Sequence, residues 1–361
     1  MSPEPGAPVV YTALVSELVN YLNGYIWSRG LIYLCLGVGL YFSLRTRFMQ
    51  VRGVGEMIRL MFHNQRSAAG VSSFQALAMS LSGRVGIGNI AGVATAIGFG
   101  GPGAVFWMWA VAFLGASTAY IESTLGQIYK EKDDEGRYRG GPAYYIEKAM
   151  GQKWYAWLFA FTTVVATGVL LPGVQANGIA SGVTNAWGIA PAISAAAIVV
   201  ALGIIIFGGV TRIATFAEIV VPFMALAYIL MAFVIMAVNA ARIPEVFTLI
   251  VSNAFGMDAA FGSLLGLAVE WGVRRGVYSN EAGQGTGPHA AAAAEVGHPA
   301  EQGYVQAFSI YVDTLLVCSA TAFMILSTGT YNVDQPGGAT IVNQLPDVQP
   351  GPAYTLSLIH I

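Results

Sequence analysis

The sequence contains few charged residues. Asp, Glu, Lys and Arg together make up 10% of its 361 residues, whereas about 25% is typical of a soluble domain. The formal net charge of −2 leaves no excess of basic residues for binding nucleic acid. Because 55% of the residues are hydrophobic and the mean hydropathy is +0.61, we expect an all-α polytopic membrane protein.

The usual signatures of metal binding and catalysis are also missing. The four histidines show no metal-ligand spacing. The two cysteines, Cys35 and Cys318, lie far apart in apolar segments, where we interpret them as small buried residues. Gly86-x-Gly88 follows no predicted strand and is therefore not a dinucleotide fingerprint. We expect neither enzymatic activity nor a cofactor.

Long apolar runs predict eight membrane crossings. We place them at residues 31–49, 74–97, 105–128, 154–187, 193–207, 213–238, 261–283 and 305–328. Two of the runs contain proline, so we expect an interruption at Pro172-Gly173 and a kink at Pro222. Residues 9–27 and 244–256 mix apolar and polar side chains and are expected to form helices at the membrane surface.

Lysine and arginine are distributed unevenly among the connections. If the crossings alternate in direction, all the connecting Lys and Arg residues except Arg29 and Arg242 lie on one side of the membrane. Cytoplasmic loops carry the excess of these residues, so this side is expected to be cytoplasmic. We therefore expect a multi-pass protein of the inner (plasma) membrane with an extracytoplasmic N-terminus.

The second crossing contains a sequence that is a poor helix interior. Ser72 and Gln75 predict a capped start, but residues 81–92 hold four glycines together with Arg84 and Asn89. Glycine costs about 1 kcal/mol relative to alanine in a helix, and unpaired peptide groups in hydrocarbon are costly. An opened helix therefore indicates a cavity. Close packing against another helix is the alternative.

The seventh crossing repeats part of this sequence. Gly88-Asn89-Ile90-Ala91-Gly92 and Ser279-Asn280-Glu281-Ala282-Gly283 share Asn-x-Ala-Gly. The seventh crossing is expected to be broken between Gly276 and Gly283. Because the two crossings run in opposite directions, the match indicates an inverted-topology repeat.

Three long motifs resemble the alanine or glycine:cation symporter family, the sodium:alanine symporters. They are GIGNIAGVATAI at 86–97, GGPGAVFWMW at 100–109 and GVYSNEAG at 276–283, and the likeness extends from about residue 19 to 329. The resemblance implies a leucine-transporter-type fold of two inverted five-helix repeats after one extra helix. Core helices 1 and 6 would be broken at mid-membrane, at residues 85–89 and 276–283.

The resemblance also implies a function and a set of site residues. The activity would be sodium-driven uptake of small neutral amino acids, above all alanine and glycine, by alternating access in the lipid bilayer. The amides of Ile87 and Gly88 would bind the substrate carboxylate. Asn89 and the Arg84 carbonyl would face one cation, and the carbonyls of Ser82 and Val85 the other. The further expected substrate contacts are Gly86, Gln175, Asn177, Trp271 and Gly276.

Arg84 needs compensation if it lies near the bilayer centre. A permanently charged arginine is costly there unless it is paired, and we expect it to pair with Glu270. The alternative is that Arg84 supplies an internal positive charge at a cation position. Transport would then be sodium-independent or proton-coupled.

Other ionisable residues within the crossings are functional candidates. We expect Asp313 to be either a cation or proton site or a group that bridges helices. Arg275 and Glu281 flank the second break and are expected to pair locally or to form part of an inner gate. Glu122 is expected in a structural pair.

Two other functions remain open from the sequence. One is a channel or a non-transporting sensor of the same fold, and the other is a carrier for another small solute. Saturable, sodium-stimulated uptake of alanine distinguishes the symporter from the channel, because a channel does not concentrate its substrate.

The end of the sequence departs from the expected fold. It supplies seven of the ten core helices that the resemblance implies, so we expect a truncated second repeat within one transporter domain, residues 1–355. Core helix eight normally completes one cation site in the family, and we expect transport to require the complete protein. Residues 356–361 match the translation of a transposon end used in library preparation, and we interpret them as an adapter scar.

Overall fold

The computed structural model describes residues 17–19, 21–62, 70–257, 265–329, 331–334 and 340–342, most of which are helical. Helix α1, Arg29–Arg45, belongs to a helical stretch that begins at Glu17. The next elements are α2 (Met49–Arg52), α3 (Val54–Met61), α4 (Ser73–Arg84), a π-helical turn (Gly88–Gly92), α5 (Val93–Gly100) and α6 (Gly103–Ile128).

A short antiparallel hairpin follows α6 and leads into a second group of helices. Its strands are β1 (Glu131–Lys132) and β2 (Tyr138–Arg139), in which Glu131 is paired with Arg139. The helices are α7 (Pro142–Met150), α8 (Lys153–Val165), a π-helical turn (Ala166–Leu170), α9 (Leu171–Trp187), α10 (Pro191–Ile206) and α11 (Gly209–Val238).

The remaining described elements complete the chain. They are a 3₁₀ turn (Ala240–Arg242), α12 (Ile243–Ala254), α13 (Leu265–Asn280), α14 (Gly287–Ala293), α15 (Pro299–Ile310), a π-helical segment (Tyr311–Cys318), α16 (Ser319–Thr328) and the hairpin strands β3 (Asn332–Asp334) and β4 (Thr340–Val342). Residues 356–361 lie outside the described residues.

A helix lies at each of the eight predicted crossings. Within the described residues, five helices are long and apolar enough to cross a membrane, and two shorter apolar helices span Gly88–Gly100 and Pro191–Ile206. The predicted interruption at Pro172-Gly173 is wrong, because α9 continues through both residues. Pro172 lies in the first turn of α9, directly after a π-helical turn, where the amide that proline lacks is not needed.

The segment predicted to be an exposed surface helix at 244–256 is partly buried. Helix α12 places Val246 and Ile250 in the same core cluster as residues of α5, α6 and α16. Its end also approaches the start of α6, since Gly103 lies against the backbone of Asn253. Helix α12 therefore packs into the helical core through one face.

Helix α6 lies at the centre of the described structure. It packs against α1, α12, α13, α14 and α15, and 14 of its 26 residues are buried. In contrast, α8 to α11 expose large apolar side chains, among them Trp157, Ile204 and Phe223. Exposed apolar side chains on long apolar helices are typical of a surface that faces lipid.

Candidate substrate and cation site

The first break lies between α4 and the π-helical turn. Helix α4 begins with the predicted capping box, in which Ser72 and Gln75 exchange hydrogen bonds of 3.1 and 3.0 Å. It ends at Arg84, and Val85 has an extended backbone, with φ −77° and ψ 98°. The Gly86 amide then donates to Asn89 Oδ1 at 2.7 Å. The opened backbone is therefore capped from within its own segment.

The second break follows α13 and begins later than predicted. Helix α13 runs without interruption through Gly276 and ends at Asn280, so the expected break at Gly276 is wrong. Gly276 instead allows close packing, because a Cβ there would lie 2.4 Å from Val111 Cγ1 of α6. The helix opens at Glu281, with φ 55°, and the segment 281–286 also contains Gly283 and Gly285, each with φ 83°.

The two breaks use their shared asparagine in opposite directions. Asn89 caps the amide of Gly86, which precedes it, at 2.7 Å. Asn280 accepts from the amide of Ala282, which follows it, at 3.0 Å. The opened backbone therefore precedes the asparagine in one repeat and follows it in the other.

The two breaks lie next to each other. Asn89 Nδ2 donates to Ser279 Oγ at 3.1 Å. A Cβ at Gly88 would lie 3.5 Å from the Ser279 Cα and 3.3 Å from the Tyr278 ring. Because the two segments are in direct contact, their side chains and peptide groups can act on one ligand.

Asp313 joins this junction from the π-helical segment. Its fully buried carboxylate accepts from Asn89 Nδ2 through Oδ1 at 2.6 Å, and from Ser279 and Thr314 through Oδ2 at 2.9 and 2.8 Å. Cys318 Sγ lies 3.2 Å from Ser279 Oγ. Asp313 makes no ion pair within 4 Å to any described residue. A buried carboxylate that is hydrogen-bonded but lacks a counter-charge can bind a cation.

A cavity of about 540 Å³ opens beside the first break. Its lining includes Gly86, Gly88 and Gln175 among the predicted substrate residues, and Ser82, Arg84 and Val85 among the predicted cation ligands. Gln175 Oε1 accepts from the Ile87 amide at 3.0 Å. This amide is one of the two predicted to bind the substrate carboxylate, so Gln175 occupies the place of that carboxylate in this structure.

Besides Ile87, which takes part only through the amide that Gln175 binds, three predicted substrate residues do not line this cavity. Asn177 is exposed, because two residues of helix turn through about 200° and place it on the opposite face of α9 from Gln175. Trp271 stacks on Phe99 with ring centroids 4.9 Å apart and lines a smaller cavity of about 190 Å³. Gly276 packs against α6.

The predicted ion pair between Arg84 and Glu270 is wrong. Glu270 pairs with Arg274, one turn further along α13, at 2.6 Å. Arg84 is 2% exposed and donates to Ser309 Oγ and, at 3.4 Å, to Gln306 Oε1. Its Nε and Nη2 atoms have no hydrogen-bond partner among the described residues. The Arg84 side chain extends towards α15, which contains both of these partners.

Arg275 and Glu281 do not pair either. The Arg275 guanidinium lies over the Trp271 ring, 5.2 Å from its centroid. Glu281 accepts from Thr286 Oγ1 at 2.5 Å, within the opened segment. The left-handed backbone of Glu281 directs its side chain along that segment, so the local pair is not formed in this structure, whereas a part in an inner gate stays a prediction.

Several site residues were not predicted from the sequence. Ser279 is part of the repeated motif, which could have identified it. Cys318 was interpreted as a small apolar residue, but the π-helical segment places residues five apart on one side, and so brings Cys318 next to the Asp313 cluster. No pattern in the sequence indicates Gln306 and Ser309 as partners of Arg84.

Comparisons with known proteins identify relatives of the chain. The model of the sodium:alanine symporter family matches residues 12–355. A Bacillus subtilis protein, provisionally named a sodium/proton-dependent alanine carrier, is 60% identical over 345 residues, covering 96% of this chain and 71% of the relative. The sodium/proton-dependent alanine carrier of Bacillus sp. strain PS3 is 53% identical, covering 84% and 68%. The sodium/alanine symporter of Methanococcus maripaludis is 41% identical, covering 87% and 71%.

Proposed function

The chain belongs to the sodium:alanine symporter family, and from this we propose that it is a secondary active symporter that imports alanine together with sodium. Its family consists of transporters, so the chain is a carrier and not an enzyme. The observation that carries the proposal is the junction of two opened helices around a buried carboxylate without a counter-charge. Glycine, which differs from alanine by one methyl group, is proposed as a second substrate.

Asp313 is proposed as the centre of the cation site. Three groups from three different elements form this centre: the Asp313 carboxylate, the Asn89 side chain and the Ser279 hydroxyl. Hydrogen bonds of 2.6 to 3.1 Å connect them to one another. The carboxylate and the hydroxyl are oxygen ligands of the kind that suits a hard cation, whereas Asn89 donates from Nδ2 and so orients the carboxylate. Because Asn89 and Ser279 belong to the two opened helices, binding of a cation here would hold both breaks in one arrangement.

The cavity beside the first break is proposed as the substrate site. Alanine is small enough for a cavity of about 540 Å³, and its carboxylate would replace Gln175 Oε1 at the Ile87 amide. Half-helix ends with free amides bind anionic substrate groups in other transporters. Gln175 would then be free to bind the other polar end of the substrate.

Transport is proposed to occur by alternating access in a leucine-transporter-type fold. The opposite use of Asn89 and Asn280 supports an inverted repeat, since an inverted repeat reverses the direction of the chain through the break. The cavity lies on the α4 side of the break, which the distribution of Lys and Arg predicts to be cytoplasmic. The Phe99 and Trp271 rings stack on the other side, which supports an inward-facing state in the inner membrane.

Coupling to protons is a second candidate for a specific reason. The buried Arg84 guanidinium lacks an ion pair within 4 Å among the described residues and lines the same cavity, so it supplies a fixed positive charge. Two similar carriers are named as dependent on sodium or protons. A proton on Asp313 would neutralise the same carboxylate as a sodium ion.

Uptake driven by a single imposed gradient tests the proposal. Proteoliposomes that contain the purified complete protein receive labelled alanine with an inward sodium gradient, an inward proton gradient or neither. We expect the sodium gradient to drive saturable accumulation of alanine above the external concentration. Equal accumulation with the proton gradient alone would support proton coupling, and uptake that only equilibrates would indicate a channel.

A further inference from the structure

Glu122 of α6 is a second buried carboxylate, and neither the cation site nor the substrate cavity includes it. It is 7% exposed and has no ion-pair partner within 4 Å among the described residues. Glu122 and Asp313 are the two buried acidic residues of the described part of the chain. A buried carboxylate is costly unless it is hydrogen-bonded, so its partners are informative.

The partners of Glu122 are backbone amides of the second break. Gly283 donates to Oε1 and Gly285 donates to Oε2, each at 3.1 Å. Both glycines have left-handed backbone angles, which side chains rarely tolerate. Each carboxylate oxygen therefore binds one backbone amide of the non-helical connection between α13 and α14.

The segment that Glu122 binds lies between two cavities. Glu281, Thr286 and Gly287 line the 540 Å³ cavity, whereas Ala282, Gly283 and Gln284 line a separate, largely apolar cavity of about 570 Å³. Segment 281–286 is thus part of the wall of each cavity. Its shape influences the space that is available to a substrate beside the first break.

The charged surroundings of Glu122 come from three elements. The groups that interact with it electrostatically are Arg84 of α4, Glu281 of the opened segment and the Tyr145 hydroxyl of α7. None of them forms an ion pair with Glu122 within 4 Å. The two carboxylate oxygens are in direct contact with the amides of Gly283 and Gly285. Glu122 therefore acts on the backbone of the opened segment and does not form an ion pair with these three groups.

We propose that Glu122 is a positioning residue for transport: by binding the amides of Gly283 and Gly285 it fixes segment 281–286 and, through it, the substrate cavity. This role rests on the proposed function of that cavity. Glu122 touches neither the substrate nor the cation. Because α6 is the central helix and the segment is the opened part of the seventh crossing, the carboxylate links the fixed and the opened parts of the structure.

Two substitutions test the proposal with two measurements. Glu122→Gln retains the size of the side chain but replaces one acceptor oxygen by a donor, so one of the two amides loses its partner. Glu122→Asp retains the charge but withdraws both oxygens by one methylene. We expect hydrogen exchange in the peptide that contains Gly283 and Gly285 to become about tenfold faster in both variants.

Transport kinetics provide the second measurement. We expect KM for alanine to rise at least threefold in both variants, while the maximum rate per folded transporter changes by less than a factor of two. Glu270→Gln is the matched control, because it makes the same chemical change on α13, where Glu270 pairs with Arg274 and binds no amide of the segment. It should leave exchange at Gly283 and Gly285 unchanged.

Unchanged exchange in both Glu122 variants would overturn the proposal. If Glu122 only balances the charge of Arg84, Glu122→Asp should behave like the wild type in both measurements, which would also overturn it. If Glu122→Gln is not recovered in folded form, the exchange rate and KM of Glu122→Asp alone test the proposal. Absence of alanine transport in the wild type would refute the proposed function, whereas the exchange result would still report on the contact.

Discussion

Single residues determine whether the opened backbone at the first break has room for its contacts. Gly86 is such a residue, because a Cβ at this position would lie 2.9 Å from Gln175 Oε1 and 3.2 Å from its Nε2. Gln175 in turn accepts from the Ile87 amide. A methyl group at residue 86 therefore competes with the side chain that occupies the proposed carboxylate position.

Gly86→Ala is predicted to lower alanine uptake at low substrate concentration by at least about tenfold, since it displaces Gln175 and narrows the cavity. The measurement is the initial rate of labelled alanine uptake, corrected for the amount of folded protein. Gly37→Ala serves as the control, because a Cβ there meets no atom within 4 Å. A normal rate in Gly86→Ala would contradict the assignment of Gln175 to the site.

Lys130, in the connection after α6, is predicted to make stability depend on pH. Burial lowers the pKa of Lys130 from 10.5 to about 8, while its ammonium donates to the Ala294 carbonyl at 2.6 Å. Between pH 8 and 10 the unfolded chain binds a proton that the folded chain has released, so stability rises with pH across this window. Lys130→Met should remove this contribution.

The measurement for Lys130 is the melting temperature in detergent at several pH values from 8 to 10. We compare the slope of the wild type with that of Lys130→Met, and use Lys132→Met on the exposed neighbouring residue as the control. The control should retain the wild-type slope. An equal slope in Lys130→Met would show that burial of this ammonium does not affect folding.

For single residues, the sequence indicated which polar side chains lie near the opened segment, but it did not indicate which residues they contact. Asn89 and Gln175, which the resemblance implies as site residues, and Asp313, an ionisable group within an apolar run, lie at the first opened segment, and their roles in binding stay predictions. Arg84 was paired with the wrong residue. The direction of its side chain depends on how α4 is rotated relative to α15, and no local sequence pattern predicts that rotation.

Among whole elements, α13 shows how one glycine-rich helix can contain both a packing contact and a break. Gly276 allows α13 to approach α6 closely, and the helix continues through it. The break itself begins where left-handed backbone angles occur, at Glu281 and Gly283. The sequence indicated that the crossing is interrupted, but glycine alone could not distinguish the two roles.

Gly276→Ala is predicted to destabilise the protein by about 1–3 kcal/mol, because the added methyl group would lie 2.4 Å from Val111 Cγ1. Gly266→Ala is the matched control in the same helix, since nothing lies within 4 Å of its Cβ position. The control should be neutral or stabilising by up to about 1 kcal/mol. Equal melting temperatures for the two variants would contradict the close contact of α13 with α6.

Across the chain, the long apolar runs predicted where the membrane-crossing helices lie. All eight predicted crossings contain helices, because runs of apolar residues and the cost of unpaired peptide groups favour that outcome. The packing of α12 against the core and the π-helical segments were not predicted. They depend on contacts between elements that are distant in sequence.

The direction of the chain through the membrane is predicted from its lysine and arginine residues. A cysteine introduced at Asp134, in the β1–β2 hairpin, should react with a membrane-impermeant maleimide only after cells are permeabilised. A cysteine introduced at Ala240, after α11, should react in intact cells. The reverse pattern would invert the predicted topology, and Cys35→Ser provides a background with one native thiol fewer.

Alanine binding as a function of sodium concentration, in the wild type and in Asp313→Asn, tests whether a cation at Asp313 couples the two opened helices to the substrate. We predict that sodium raises the affinity of the wild type for alanine, because a cation at Asp313 stabilises the contact of the two opened helices, whose Asn89 and Ser279 both donate to that carboxylate. In Asp313→Asn that sodium dependence should fall by at least about tenfold, or about 1.4 kcal/mol of coupling. Sodium dependence equal to that of the wild type would contradict the account.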